Sequence, residues 1–191
     1  PFSFVDEKLF LGNSLLGLTD LKQLGAMHID PAKVNRQQGM LDIFEVDTDS
    51  IIKRAVELRE SLASPVEPDD SPARSAAAKR RQLAQLHAVT ADLRKLADGV
   101  VATGLALGGK PGRALDNAYE DLREAARKAY PSARGEADAR WLDSKIDQGL
   151  TPTVETDYAR WKPLHWIIEA ADVMVDHGGF DAVVGNPPFL G

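Results

Sequence analysis

The chain has 191 residues, 43% of them hydrophobic, with no cysteine, a net charge of −6 and a pI near 5.2. That composition folds and suits one domain or one and a half, and it excludes disulfides and thiolate metal sites. It also excludes the global basic charge of a free-standing nucleic-acid binder. No signal-peptide pattern and no apolar run of roughly 18 residues occurs, so no membrane partner is expected and the expected location is the cytoplasm. The chain starts at Pro1 and stops just past a strand-like run, and is therefore expected to be a piece of a longer protein.

In chain order, Lys8 to Leu11 read as a strand ending at Gly12, and Gly12-Asn13-Ser14-Leu15-Leu16-Gly17 as a polar strand-to-helix turn. Thr19 or Asp20 caps one or two helical turns that reach Leu24. Residues 28 to 41 lack periodicity and form a connection, in which His28 stands apart from any second ligand and reads as a surface or core histidine. Met40 to Val46 are a short strand or an apolar clasp. A helix over about 50–63 places Ile51, Ile52, Ala55, Leu58 and Leu62 on one face. A break rich in proline and acid follows, and Ser71-Pro72 opens the longest expected helix, 72–107. Its seam of Leu83, Leu86, Val89, Leu93, Leu96, Val100 and Leu107 suits an antiparallel partner helix, so helix-mediated self-association is one expectation. Two further helices are expected over 113–129, closed by Tyr130-Pro131, and over 135–148, with Trp141 as the bulky anchor. Basic residues cluster at Arg74, Lys79, Arg80 and Arg81 and at Arg123, Arg127 and Lys128. Phosphate contacts are open to them, but acidic residues interspersed nearby favour a solvated helix face.

The apolar sequence resumes at Trp161. His165, Trp166 and Glu169 read as core and interface positions, with an acid–base pair of His165 and Glu169 at helical spacing as the alternative. Phe180 to Val184 is a short apolar, β-branched run between Gly178-Gly179 and Gly185, which reads as a buried strand of an α/β sheet. The loop after it, Asn186-Pro187-Pro188-Phe189, suits the holding of a planar amine. An amide oxygen and a backbone carbonyl accept its two hydrogens, two prolines fix the carbonyls, and an aromatic ring covers its face.

The run GFDAVVGNPPF resembles the target-base loop of S-adenosylmethionine-dependent, adenine-specific DNA methyltransferases, above all those of large restriction-modification (type IIG-like) enzymes. Gly12 to Leu15 is similar to the G-[DN]-S-L segment that precedes a long insertion in that family, and residues 165–169 to its HW-x-x-E segment. The resemblance implies an α/β fragment with a mainly α-helical insertion: mostly helical overall, with a few strands at the two ends. Residues 1–24 and 161–191 would be pieces of the catalytic core and 25–160 the insertion. It implies S-adenosylmethionine as cofactor, with Asn13 near the donor's adenine where the family commonly has Asp. It implies double-stranded DNA with a flipped adenine as substrate, its amino group held by Asn186 and the Pro187 carbonyl under the ring of Phe189. The family's donor-binding motif, Asp-Pro-x-x-Gly-x-Gly, has no counterpart before Gly12, so these residues alone are expected neither to bind the donor tightly nor to methylate. Similar loops in methyltransferases of RNA amines or of protein glutamine are an alternative. Another is a helical spacer, DNA-contacting or partner-docking module.

Overall fold

The computed structural model describes residues 8–34, 47–64, 72–131 and 135–185. They are mostly helical: α1 (Leu21–Gly25), α2 (Thr48–Ala63), α3 (Pro72–Val89), α4 (Ala91–Ala106), α5 (Arg113–Ala129), α6 (Arg140–Leu150) and the single turn α7 (Trp166–Glu169), followed by a π-helical turn, Asp172–Asp176. No strand occurs among the described residues; the one β feature there is an isolated parallel bridge between Asn13 and Pro163.

The core is built on α4. Leu93, Leu96, Ala97, Val100 and Ala102 are fully buried against α5, through Tyr119, Leu122, Ala125 and Ala126, and against α6, through Leu142, Ile146 and Leu150. Alanines and glycines where helices meet let their backbones approach: a Cβ added to Gly149 would lie 2.1 Å from the Ala102 carbonyl oxygen. Residues from both terminal segments, Leu18, Leu24 and Met27 from one and Ile167 and Ile168 from the other, enter the same core. A second, smaller cluster joins α2 to α3 through Ala55, Leu58, Leu62 and Leu86, with Ala171 beneath them.

The start of α1 follows its sequence. Asp20 caps the Lys22 amide and Gln23 reaches back to the Asp20 amide, a reciprocal capping box. Its end does not rest on glycine: Met27 takes the left-handed conformation (φ 47°), with the His28 amide bonded to the Gln23 carbonyl and the Met27 amide to that of Leu24. Burying the Met27 side chain completely offsets the backbone cost of that conformation.

Several expectations are corrected. The helix expected over 72–107 is two helices that meet at Thr90, whose backbone (φ −93°, ψ 0°) leaves the helical range although its amide still donates to the Leu86 carbonyl and the Arg94 amide to its own carbonyl. The seam that suits an antiparallel partner helix is divided between the two clusters. Leu86 packs on α2, Leu93, Leu96 and Val100 pack on α5 and α6, and Leu107 is 40% exposed, so the chain's own helices fill most of it. The last long helix is Arg140–Leu150, not 135–148, and Trp141 is no core anchor: it is partly exposed, with the Lys128 and Lys145 ammonium groups 4.8 and 5.4 Å from its ring centre. Neither expected end strand forms. Lys8 to Leu11 holds no ladder, with Leu9 and Leu11 exposed, and Phe180 to Val184 is not buried, with Val184 96% exposed. A strand is stabilised by neighbours that complete its hydrogen bonds and cover its side chains, and the described residues supply none. Met40 to Val46 lie outside the described residues.

Candidate functional site

Asn186, Pro187 and Phe189 lie outside the described residues, so the candidate site is what the structure builds around Asn13. The Asn13 amide donates to the Lys162 carbonyl (2.6 Å), and the Asn13 carbonyl accepts from the Leu164 amide (3.1 Å). Its side-chain oxygen accepts from the Leu15 amide (3.0 Å), which turns the chain back at once. Further along, the Trp166 indole N–H donates to the Ser14 carbonyl (3.2 Å), and the Ile167 amide donates to the Leu18 carbonyl (3.2 Å). The two segments thus run side by side from Asn13 to Leu18 and from Lys162 to Ile167. Gly17 makes this possible, because a Cβ there would sit 1.5 Å from the Leu164 carbonyl oxygen.

His165 locks the junction from inside and is 1% exposed. Its Nδ1 accepts from the Leu18 amide at 3.2 Å, so the neutral ring carries its hydrogen on Nε2 and donates it to Asp98 Oδ1 on α4 at 3.1 Å. One helical turn earlier on α4, Arg94 Nε donates to Glu169 Oε1 at 2.5 Å. Arg59 of α2 pairs with Asp172 and lies 5.1 Å over the Phe10 ring. His165 and Glu169 therefore have separate partners and are not an acid–base pair. Phe10, Trp166 and Phe180 form an edge-to-face ladder at 6.2 and 5.3 Å on the outside of the junction.

Beside Asn13 opens a cavity of about 330 Å³, walled by Leu11, Gly12, Asn13, Tyr158, Arg160, Trp161 and Lys162. The Tyr158 and Trp161 rings stand 5.9 Å apart at 39°. Trp161 is fixed by its amide, which donates to the Leu150 carbonyl (2.8 Å), and Arg160 pairs with Asp147. Among the described residues the walls carry two cations, of which Arg160 is already paired with Asp147, and no carboxylate. Set against the donor that the resemblance implies, this fits poorly: among those residues Asn13 alone offers a side-chain amide to a purine edge, and the cations repel a sulfonium.

A second cavity, of about 370 Å³, adjoins His28, Lys33, Val34, Asp116, Glu120 and Arg123. His28 Nδ1 accepts from the Asp30 amide at 2.9 Å, so Nε2 keeps the hydrogen and offers no lone pair to a metal. That nitrogen is covered, has no hydrogen-bond partner, and lies 3.9 Å from the Asp116 carboxylate. Burial, and then the neighbouring Arg123 guanidinium, hold the His28 pKa below its usual value. Tyr119, stacked on His28 with centroids 4.0 Å apart, is pushed up to about 12 by desolvation. No cluster of three His, Cys, Asp or Glu able to hold a metal occurs among the described residues, and no helix there is long and apolar enough to cross a membrane.

Reading the sequence missed Asp98 and Arg94, which lie 67 and 75 residues from their partners and carry no local signal. It also left Arg160 and Lys162 aside, although the alternation Tyr158-Ala159-Arg160-Trp161-Lys162 was there to be seen. In comparisons with protein-family models, with curated proteins and with solved structures, nothing matches this chain.

Proposed function

We propose that this chain is a segment of an adenine-specific DNA methyltransferase, in which Asn186-Pro187-Pro188-Phe189 is the loop that holds the target base. The observation that carries the reading is the junction. The stretches 13–18 and 162–167, about 150 residues apart in sequence and overlapping the Gly12–Leu15 and His165–Glu169 segments that each resemble the same family, are hydrogen-bonded side by side, with the Trp166 indole on the Ser14 carbonyl joining the two segments directly. Such pairing is what two pieces of one catalytic core require of an insertion between them, and α4 secures it through Asp98 and Arg94.

In this reading the chain's own groups act by positioning. The Asn186 amide oxygen and the Pro187 carbonyl accept the two hydrogens of an extruded adenine's amino group, biasing its nitrogen towards a pyramidal, nucleophilic form. Phe189 stacks on the extruded ring in place of the neighbouring bases of the duplex. S-adenosylmethionine would supply the methyl group, although the described residues do not form a pocket fitted to it.

The test is methyl transfer from labelled donor to unmethylated duplex DNA by a full-length protein containing this segment, with Asn186→Ala beside it. Label on adenine that falls at least about a hundredfold in the variant is the expected outcome. Label on RNA or on a protein glutamine replaces the substrate class. Unchanged turnover in the variant removes the role of Asn186.

A further inference from the structure

The cavity beside Asn13 has a chemistry that points away from the methyl donor. Among the described residues its walls combine two aromatic rings, one side-chain amide and two cations, Arg160 and Lys162, with no carboxylate. The Asn13 side-chain oxygen is engaged by the Leu15 amide, which leaves its NH₂ to donate to a ring nitrogen or carbonyl oxygen. Tyr158 is 65% exposed, so one ring face is open to a ligand, while Trp161 behind it is pinned to α6. Aromatic faces beside lysine and arginine are how proteins grip unstacked nucleotides: the rings take the base and the cations the phosphate. The methyl donor has no phosphate; the cations repel its sulfonium, and only its amino-acid carboxylate could pair with them.

We propose that this cavity binds one unstacked nucleotide of a nucleic-acid strand, with the base against Tyr158 and Trp161, its edge on Asn13, and the phosphate at Lys162 and Arg160. The proposal goes beyond the methyltransferase reading and does not depend on it, since the site lies wholly within the described residues and needs no methyl transfer. Arg160 keeps guanidinium hydrogens beyond those on Asp147, so that pair can persist with a phosphate alongside. With a chain charge of −6, binding is weak and falls with salt, at a log–log slope of about −0.7 for one phosphate neutralised on a single strand.

The experiment follows the three tryptophan indole N–H signals of the chain by NMR during titration with a short oligodeoxyadenylate, AMP, adenosine and S-adenosylhomocysteine. The expected result is a shift confined to the Trp161 signal, stronger with the oligonucleotide and AMP than with the two ligands lacking phosphate. Tyr158→Ser should weaken the oligonucleotide about tenfold or more. Lys162→Gln should weaken oligonucleotide binding and bring its salt slope closer to zero. Both side chains are exposed, so neither variant should unfold the chain, and the unperturbed Trp141 and Trp166 signals check this. A Trp161 signal unmoved at millimolar oligonucleotide overturns the proposal, as does binding that neither variant alters. Equal affinity for adenosine and AMP removes the phosphate and returns the cavity to the donor nucleoside. Failure of the methylation assay leaves all of these outcomes untouched.

Discussion

Leu96 and Val184 are both branched apolar residues in stretches that the sequence marks as core, and they end at opposite extremes: Leu96 fully buried in α4, Val184 96% exposed. The difference lies in how each element satisfies itself. A helix closes its own backbone hydrogen bonds and needs only a surface to cover one stripe, which α5 and α6 provide for α4. A strand leaves its backbone open until a neighbour arrives, so the same hydrophobic content gives residues 180–184 no structure of their own here. Apolar pattern alone therefore fixes burial for helices but only a readiness for burial in strands.

Leu96→Ala is the strongest way to press this comparison: removing a fully buried side chain where three helices meet should cost about 2–5 kcal/mol in denaturant unfolding. A loss below about 1 kcal/mol would mean the helical core is looser than its burial indicates. His28 should give a smaller effect that depends on pH. Its folded-state pKa lies below the usual 6.5, so below pH 6.5 the unfolded chain takes up a proton that the folded chain resists. Stability should therefore fall as pH drops from 6.5 towards the folded-state value, and His28→Gln should flatten that part of the curve. A slope that persists in the variant would assign it to other groups. Val183→Ser together with Val184→Ser should be the mildest change, within about 0.5 kcal/mol, because neither side chain is covered. A larger loss would show that in solution this segment has found a partner surface.

The helices were legible because each carries its own signal. The stripe from Ile52 to Leu62 and the alternation through Leu115, Tyr119, Leu122 and Ala126 are buried as their spacing predicts. The break at Thr90 was hidden because the apolar spacing runs through it unchanged and no glycine or proline marks the place. Trp141 misled because size suggests an anchor, whereas two lysine stems and their charges accommodate the ring at the surface. At the candidate site, Asn13 and the segment from His165 to Glu169 could be singled out, but their pairing could not. Backbone bonds between Asn13 and residues 162–164, and the close approach of Gly17 to Leu164, depend on where the intervening helices bring the two segments. Asp98 was illegible for the same reason: among acidic residues on a solvent-facing pattern, only the fold tells which one meets a histidine.

The joint at Thr90 also has a consequence in time. It separates the α2–α3 pair, held by a small cluster, from the larger core of α4, α5 and α6, so the two need not open together. The smaller pair is tied to the rest through Ile52 of α2, which enters the larger core, through Ala171 and through the Arg59–Asp172 contact, and its smaller cluster makes it the portion expected to open at the lower free energy. Asp98 and Arg94 lie on the other side of the joint, so the clasp on His165 and Glu169 should outlast that opening, with amide protons of the main core exchanging more slowly than those of α2 and α3.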